Sequence, residues 1–164
     1  MNVATAHRHG YGIIVVSLAF ALLLAVIPLP DAVVLARPEF VTLFLIYWCI
    51  ALPERVGVGT AWLTGLVLDV LLGALFGQHA LALTIVAFLA TRLHLRIRVY
   101  PVWQQALSIL VLVTIYQLVM LWTSGIIGKP ATSWTYWLPS LASMLTWPVV
   151  FIMLNGVQRG FDVS

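Results

Sequence analysis

Six apolar runs, each bounded by proline, glycine or charged residues, make up most of this chain. They cover residues 11–27, 40–52, 56–75, 79–91, 102–122 and 138–154. Of the 164 residues, 63% are hydrophobic and 8% are charged, whereas soluble domains carry roughly 25% charged residues. The pattern therefore predicts an all-α integral membrane protein with six transmembrane helices, forming one polytopic domain over residues 1–164.

Two of the runs are short for a membrane span. The second and the fourth contain about 13 residues each, and a helix of that length covers about 20 Å of a roughly 30 Å hydrocarbon core. We expect each of them to be re-entrant, extended by flanking residues, or sheltered by neighbouring helices.

The basic residues predict the orientation. If all six runs cross the bilayer, one face carries Arg8, Arg55, Arg92, Arg96, Arg98 and Arg159, and the other carries only Arg37 and Lys129. Cytoplasmic loops are richer in lysine and arginine, so both termini are expected in the cytoplasm. The same flanking residues account for the net charge of +3, which therefore gives no reason to expect a nucleic-acid partner.

A row of small residues at every fourth position runs through the third apolar segment. Its members are Gly57, Ala61, Gly65, Asp69, Gly73 and Gly77. Positions four apart form a ridge on a helix, and small residues on a ridge allow close approach of another backbone in lipid. The row predicts either tight internal packing or docking of a partner's helix.

Asp69 is the one charged residue in that row. A carboxylate near the centre of a membrane helix costs roughly 2.5–3.5 kcal/mol, so it is expected to face the protein interior or water. Gln117 in the fifth run lies at a similar predicted depth. We predict either a hydrogen-bonded lock between these two helices or a contact with a ligand, a proton or a partner.

Two further surfaces are candidates for binding. Ser17, Ala21 and Ala25 form a small-residue face on the first helix, which predicts either internal packing or docking of a partner. Arg92, Arg96 and Arg98 form a basic segment that favours either attraction to anionic headgroups or contact with a cytoplasmic partner.

The sequence offers no catalytic constellation. It has no Ser/His/Asp set, no paired intramembrane acids, no metal-ligand spacing and no phosphate-binding loop, and its single cysteine lies in an apolar run. We therefore expect a protein that is not an enzyme and that has no cofactor, no metal and no nucleic-acid partner.

Several segments, taken in order, resemble the MreD family of rod shape-determining membrane proteins, in its proteobacterial form. They are residues 37–40 (RPEF), 46–48 (IYW), 51–60 (ALPERVGVGT), 65–69 (GLVLD) with Gly73 and Gly77, and 101–107 (PVWQQAL). The resemblance extends nearly from end to end.

This resemblance implies a non-enzymatic component of the elongation machinery, in the bacterial inner membrane, that controls side-wall peptidoglycan synthesis. The partners it implies are MreC, bound through its membrane helix, and indirectly RodA, a penicillin-binding transpeptidase and MreB. Membrane lipids are expected around the protein, and a homodimer is left open.

An alternative function follows from a second likeness, since the MreD family is similar in fold to the S-components of energy-coupling-factor transporters. It is a small-molecule-binding transport subunit with a pocket at its outward end. The residues available there are Asp69, Gln78, His79, Gln117 and Thr123, which are few for such a site.

Overall fold

A computed structural model describes residues 3–131 and 133–163, with side chains described from Gly10 onward, so the Arg8 side chain of the orientation argument lies outside the described residues. The secondary structure of the described ranges is helical. Its elements are α1 (Val3–Val26), α2 (Asp31–Val34), α3 (Phe40–Ala51), α4 (Val58–Leu72), α5 (Gln78–Val99), α6 (Val102–Ile126), a 3-10 turn (Trp134–Trp137) and α7 (Leu138–Gly160).

The lengths of the helices agree with a membrane protein. Among the described residues, three helical stretches are long and apolar enough to cross a bilayer: Gln78–Val99, Val102–Ile126 and Trp134–Gly160. Three shorter apolar stretches accompany them: Gly10–Val26, Phe40–Ala51 and Val58–Leu72.

The fourth apolar run forms a longer helix than the sequence predicts. The apolar run ends at Thr91, but α5 continues through the arginine-rich segment to Val99. Arginine favours helices, and its long aliphatic stem lets the charged group reach the membrane surface from a helical backbone. The fourth run is therefore extended by its flanking residues.

The second run remains short and lies at the centre of the bundle. α3 has 12 residues, and all of those from Val41 to Ile50 are buried. It packs against α1, α5 and α7. Protein rather than lipid surrounds this helix. Of the three alternatives for a short run, shelter by neighbouring helices therefore applies to α3.

The helices alternate in direction, and a cavity lies at each end of the bundle. At one end, Ala51, Arg98 and Arg159, near the ends of α3, α5 and α7, line a cavity with Gln105 from the start of α6. We call this the basic end. At the opposite end, a second cavity is lined by residues that include Leu72 of α4 and His79 of α5.

Candidate functional site

The Asp69 carboxylate is buried between α4 and the first turn of α5, with 1% of its surface exposed. Its Oδ2 accepts a hydrogen bond from the backbone N–H of Gly77 at 2.8 Å. Its Oδ1 accepts one from the N–H of His79 at 2.9 Å and lies 2.7 Å from the His79 Nδ1. The N–H of Ala80 lies 3.5 Å from Oδ2.

These contacts make Asp69 a cap for a neighbouring helix. The first N–H groups of any α-helix have no partner within the helix, and the N-terminus carries a partial positive charge. At the start of α5, the oxygens of the Asp69 carboxylate accept hydrogen bonds from these N–H groups and place an acidic group beside the helix N-terminus. The structure thus accounts for an intramembrane carboxylate by a lock between α4 and α5.

Gly65 allows the two helices to come close enough for this lock. A Cβ atom at position 65 would lie within 2.8 Å of three backbone atoms, the Cα and N of Ala80 and the carbonyl carbon of His79. Real Cβ atoms do not approach a backbone so closely, so the contact requires glycine. Ala61 on the same face is completely buried.

The rest of the small-residue row is not a helical ridge, which corrects the prediction for Gly57, Gly73 and Gly77. Gly57 precedes α4, with an extended backbone, whereas Gly73 ends α4 and Gly77 precedes α5. Gly73 and Gly77 have φ angles of +62° and +99°. Glycine tolerates such angles and other residues rarely do, so these two residues shape the turn between the helices.

The predicted hydrogen bond between Asp69 and Gln117 is not formed. The Gln117 Nε2 donates to the carbonyl oxygen of Tyr136 at 3.0 Å, and the Tyr136 hydroxyl donates to the carbonyl oxygen of Gln117 at 2.8 Å. Ser140 also donates to the side-chain oxygen of Gln117. Gln117 therefore joins α6 to the 3-10 turn and to α7, while Asp69 bonds to α5.

The small-residue face of α1 points inward, which agrees with the packing alternative and corrects its candidacy as a docking face. Ser17 is 9% exposed and Ala21 is completely buried. The Trp48 indole donates to the Ser17 hydroxyl at 2.8 Å, which ties α1 to α3. Ala25 borders the cavity at the opposite end. The row serves packing inside the protein.

The cavity at the opposite end has a volume of about 600 Å³. Its polar lining includes Arg37, Glu39, His79, Tyr116 and Gln117. Burial raises the pKa of Glu39 to about 7, against a smaller lowering by the Arg37 guanidinium. The Glu39 carboxyl therefore changes charge close to neutral pH.

The three arginines of the predicted basic segment have different surroundings, although all three are exposed. Arg92 lies over the Phe88 ring, 5.2 Å from its centroid. Arg98 donates to the carbonyl oxygen of Ala51 at 3.3 Å and lines the cavity at the basic end. Arg96 does not line that cavity. The contact of this segment with anionic headgroups or with a cytoplasmic partner stays a prediction.

Sequence reasoning did not identify the direct partners of Asp69 or the place of Glu39 in the lining of the cavity at the opposite end. The sequence predicts a helix that starts at His79 and a polar side chain near the outward end, but not its contact with Asp69. The Gly77 and Ala80 N–H donors could not be predicted, because nearly every residue has a backbone N–H and residue type does not indicate which one donates. Glu39 lies outside the apolar runs and was not considered as a site residue.

The fold and the site define a class of protein. Apolar helices alternate in direction around a sheltered central helix, and a buried carboxylate joins two of them. Among the described residues, no cluster of three or more His, Cys, Asp or Glu side chains could hold a metal ion. This is an α-helical membrane protein in which a buried carboxylate on one helix holds the start of the next helix.

Comparison with known proteins gives the family. The family model for rod shape-determining protein MreD matches residues 6–157. Rod shape-determining protein MreD of Haemophilus influenzae is 32% identical over 142 residues, which are 87% of this chain and 86% of that protein. This chain belongs to the MreD family, which confirms the resemblance found in its sequence. No solved structure matches the chain, so the likeness to transporter S-components stays a prediction.

Proposed function

We propose that this protein is a non-enzymatic membrane scaffold of the cell-elongation machinery, which supports rod shape by binding the membrane helix of MreC. Through MreC it would act on RodA, a penicillin-binding transpeptidase and MreB, and so control side-wall peptidoglycan synthesis. The observation that carries the proposal is the MreD family match over residues 6–157.

The hydrogen bonding of the interior supports a scaffold over a transport subunit. Asp69 is bonded to α5, Gln117 to Tyr136 and Ser140, and the Gln78 side chain to Ser124 at 3.0 Å. A binding pocket for a small polar molecule needs several side chains with donors and acceptors to spare. Of the polar groups predicted for such a pocket, Asp69, Gln78 and Gln117 instead join one helix to another, and Thr123 bonds within α6.

We propose six crossings in the bacterial inner membrane with both termini in the cytoplasm. The basic end carries the cavity arginines Arg98 and Arg159, and Arg92 and Arg96 lie in the last turns of α5. Arg37 borders the cavity at the opposite end. An excess of arginine at one end favours the cytoplasmic side for that end.

The outer face of α1 is the surface we propose for the MreC helix. α1 packs against α3 and α4 from the periphery of the bundle. Its outer face exposes the small residues Gly12 and Ala19 beside Val16 and Leu23, which are 68% and 66% exposed. A Cβ atom at Gly12 would meet nothing within 4 Å. Small residues at an exposed helix face let a second helix approach closely in lipid.

The test is co-purification of MreC with variants of α1. Gly12→Leu combined with Ala19→Leu should keep the protein at its normal membrane level and reduce recovered MreC about tenfold or more, because bulk holds the helices apart. Ala21→Leu is the matched control, since Ala21 is buried and the same added bulk should lower the protein level itself. Normal MreC recovery by the outer-face double variant would exclude this face.

A further inference from the structure

The cavity at the basic end has a volume of about 320 Å³ and lies between α3, α6 and α7 and the ends of α5 and the chain. Its floor is buried and internally bonded. The Trp147 indole donates to the Gln105 side chain at 3.3 Å, and the Tyr47 hydroxyl donates to the Gln158 side chain at 2.8 Å. Because these groups are fixed by one another, the cavity has a defined shape.

The cavity combines two guanidinium groups with unused hydrogen-bond donors. Arg98 and Arg159 line it, and Asp162 is the single acid in its lining. Arg98 uses one N–H group on Ala51. Within the part of the chain that the structure describes, the side chains of Arg159 and Asn155 make no hydrogen bond to protein. A guanidinium group has five N–H donors, so many donors remain available.

We infer that this cavity binds the phosphate of an anionic phospholipid headgroup. A phosphate offers several acceptor oxygens, and arginine binds it with paired N–H groups. Apolar residues such as Ile50 and Phe151 also line the cavity and suit the start of an acyl chain. The choice of a lipid rests on the proposed orientation, which places the basic end at the cytoplasmic leaflet, where anionic lipids concentrate.

The binding chemistry itself does not depend on MreC or on orientation, so it is measured on the purified full-length chain in a neutral detergent. The probes are dioleoylphosphatidylglycerol, dioleoylphosphatidylcholine and inorganic phosphate, with lipid binding followed by native mass spectrometry. We expect binding of the anionic phosphatidylglycerol in clear preference to phosphatidylcholine, whose choline group would meet the two arginines.

Matched variants separate a site from general surface charge. Arg98→Gln with Arg159→Gln should weaken phosphatidylglycerol binding about tenfold or more. Arg92→Gln with Arg96→Gln removes the same charge from the same end and should change binding less than about twofold, because neither side chain lines the cavity. Asp162→Asn should strengthen binding, which is a gain that misfolding would not produce.

Three outcomes would overturn the inference. Equal losses in the two arginine pairs would show diffuse attraction to the membrane surface. Unchanged binding in the variant lacking Arg98 and Arg159 would exclude the cavity. Binding of inorganic phosphate with no preference for phosphatidylglycerol would assign the cavity to free phosphate instead of a lipid. A reversed orientation with preserved lipid binding would refute the proposed topology and leave the site in place.

Discussion

Gly65 of α4 lies directly against the backbone of Ala80 in α5, where a Cβ atom would come within 2.8 Å of main-chain atoms. The neighbour is backbone and not a flexible side chain, so the helices would have to separate. We expect Gly65→Ala to destabilise the protein by about 1–3 kcal/mol or more. Gly57→Ala is the control, because a Cβ there meets nothing within 4 Å. Thermal unfolding in detergent measures both, and equal melting temperatures would contradict the packing.

Replacement of Asp69 tests the lock. Asp69→Asn keeps one acceptor oxygen but turns an NH₂ group toward the N–H donors of α5, so we expect a loss of about 1–3 kcal/mol. Asp69→Leu leaves the N–H groups of Gly77 and His79 buried without an acceptor and should cost more. Protein levels in the membrane and melting temperatures give the order. Equal losses of rod-shape support at normal levels would instead point to a required carboxylate.

The hydrogen bond between Ser17 and Trp48 can be measured by a double-mutant cycle. Ser17→Ala leaves the Trp48 indole N–H buried without an acceptor, which should cost about 1–3 kcal/mol. With Trp48→Phe as the second change, the two effects should be non-additive by about 1 kcal/mol. Ser108→Ala serves as the control, because Ser108 donates only to Gln104 in its own helix. Additive effects would show that the bond contributes nothing.

Glu39 should make stability depend on pH. Its pKa is about 7 in the folded protein, against an ordinary value of 4.5. Below pH 4.5 both folded and unfolded states hold the proton. As pH rises toward 7 the unfolded state releases it first, so stability falls by up to about 3 kcal/mol. The difference between wild type and Glu39→Gln in melting temperature, measured from pH 4.5 to 8, isolates this carboxyl. A difference that does not vary with pH would contradict the raised pKa.

Cysteine labelling tests the proposed orientation in cells. The native Cys49 is completely buried and should not interfere. Lys129→Cys should react with an impermeant maleimide added from the periplasmic side, and Arg96→Cys should react only after the membrane is opened. The reverse pattern would place both termini outside the cytoplasm.

The sequence predicted where the helices lie because apolar runs report burial in lipid directly. It was less successful at their ends. The fourth apolar run ends before Arg92 because that residue is charged. A charged side chain at the membrane surface does not end a helix, and α5 reaches Val99. The row from Gly57 to Gly77 includes the turn between α4 and α5. Residues four apart share a face only where the backbone is helical.

The partner of Asp69 could not be found from depth alone. Two side chains at the same depth can point in different directions, and Gln117 faces Tyr136 and Ser140 instead. The actual donors to Asp69 are mainly backbone N–H groups, which every residue except proline has. The inward direction of Ser17 and Ala21 depends on which side of α1 meets α3, and a small-residue pattern does not give that direction.

The buried position of α3 at the centre of the bundle affects how the protein unfolds. All ten residues from Val41 to Ile50 are buried by protein, so no peripheral helix can loosen and expose α3 without breaking several interhelical contacts together. Its amides should therefore be the slowest in the chain to exchange with deuterium, and their rates should report separation of the whole bundle. Rates at the outer face of α1 should be faster and should respond to a bound helix, while those of α3 should not.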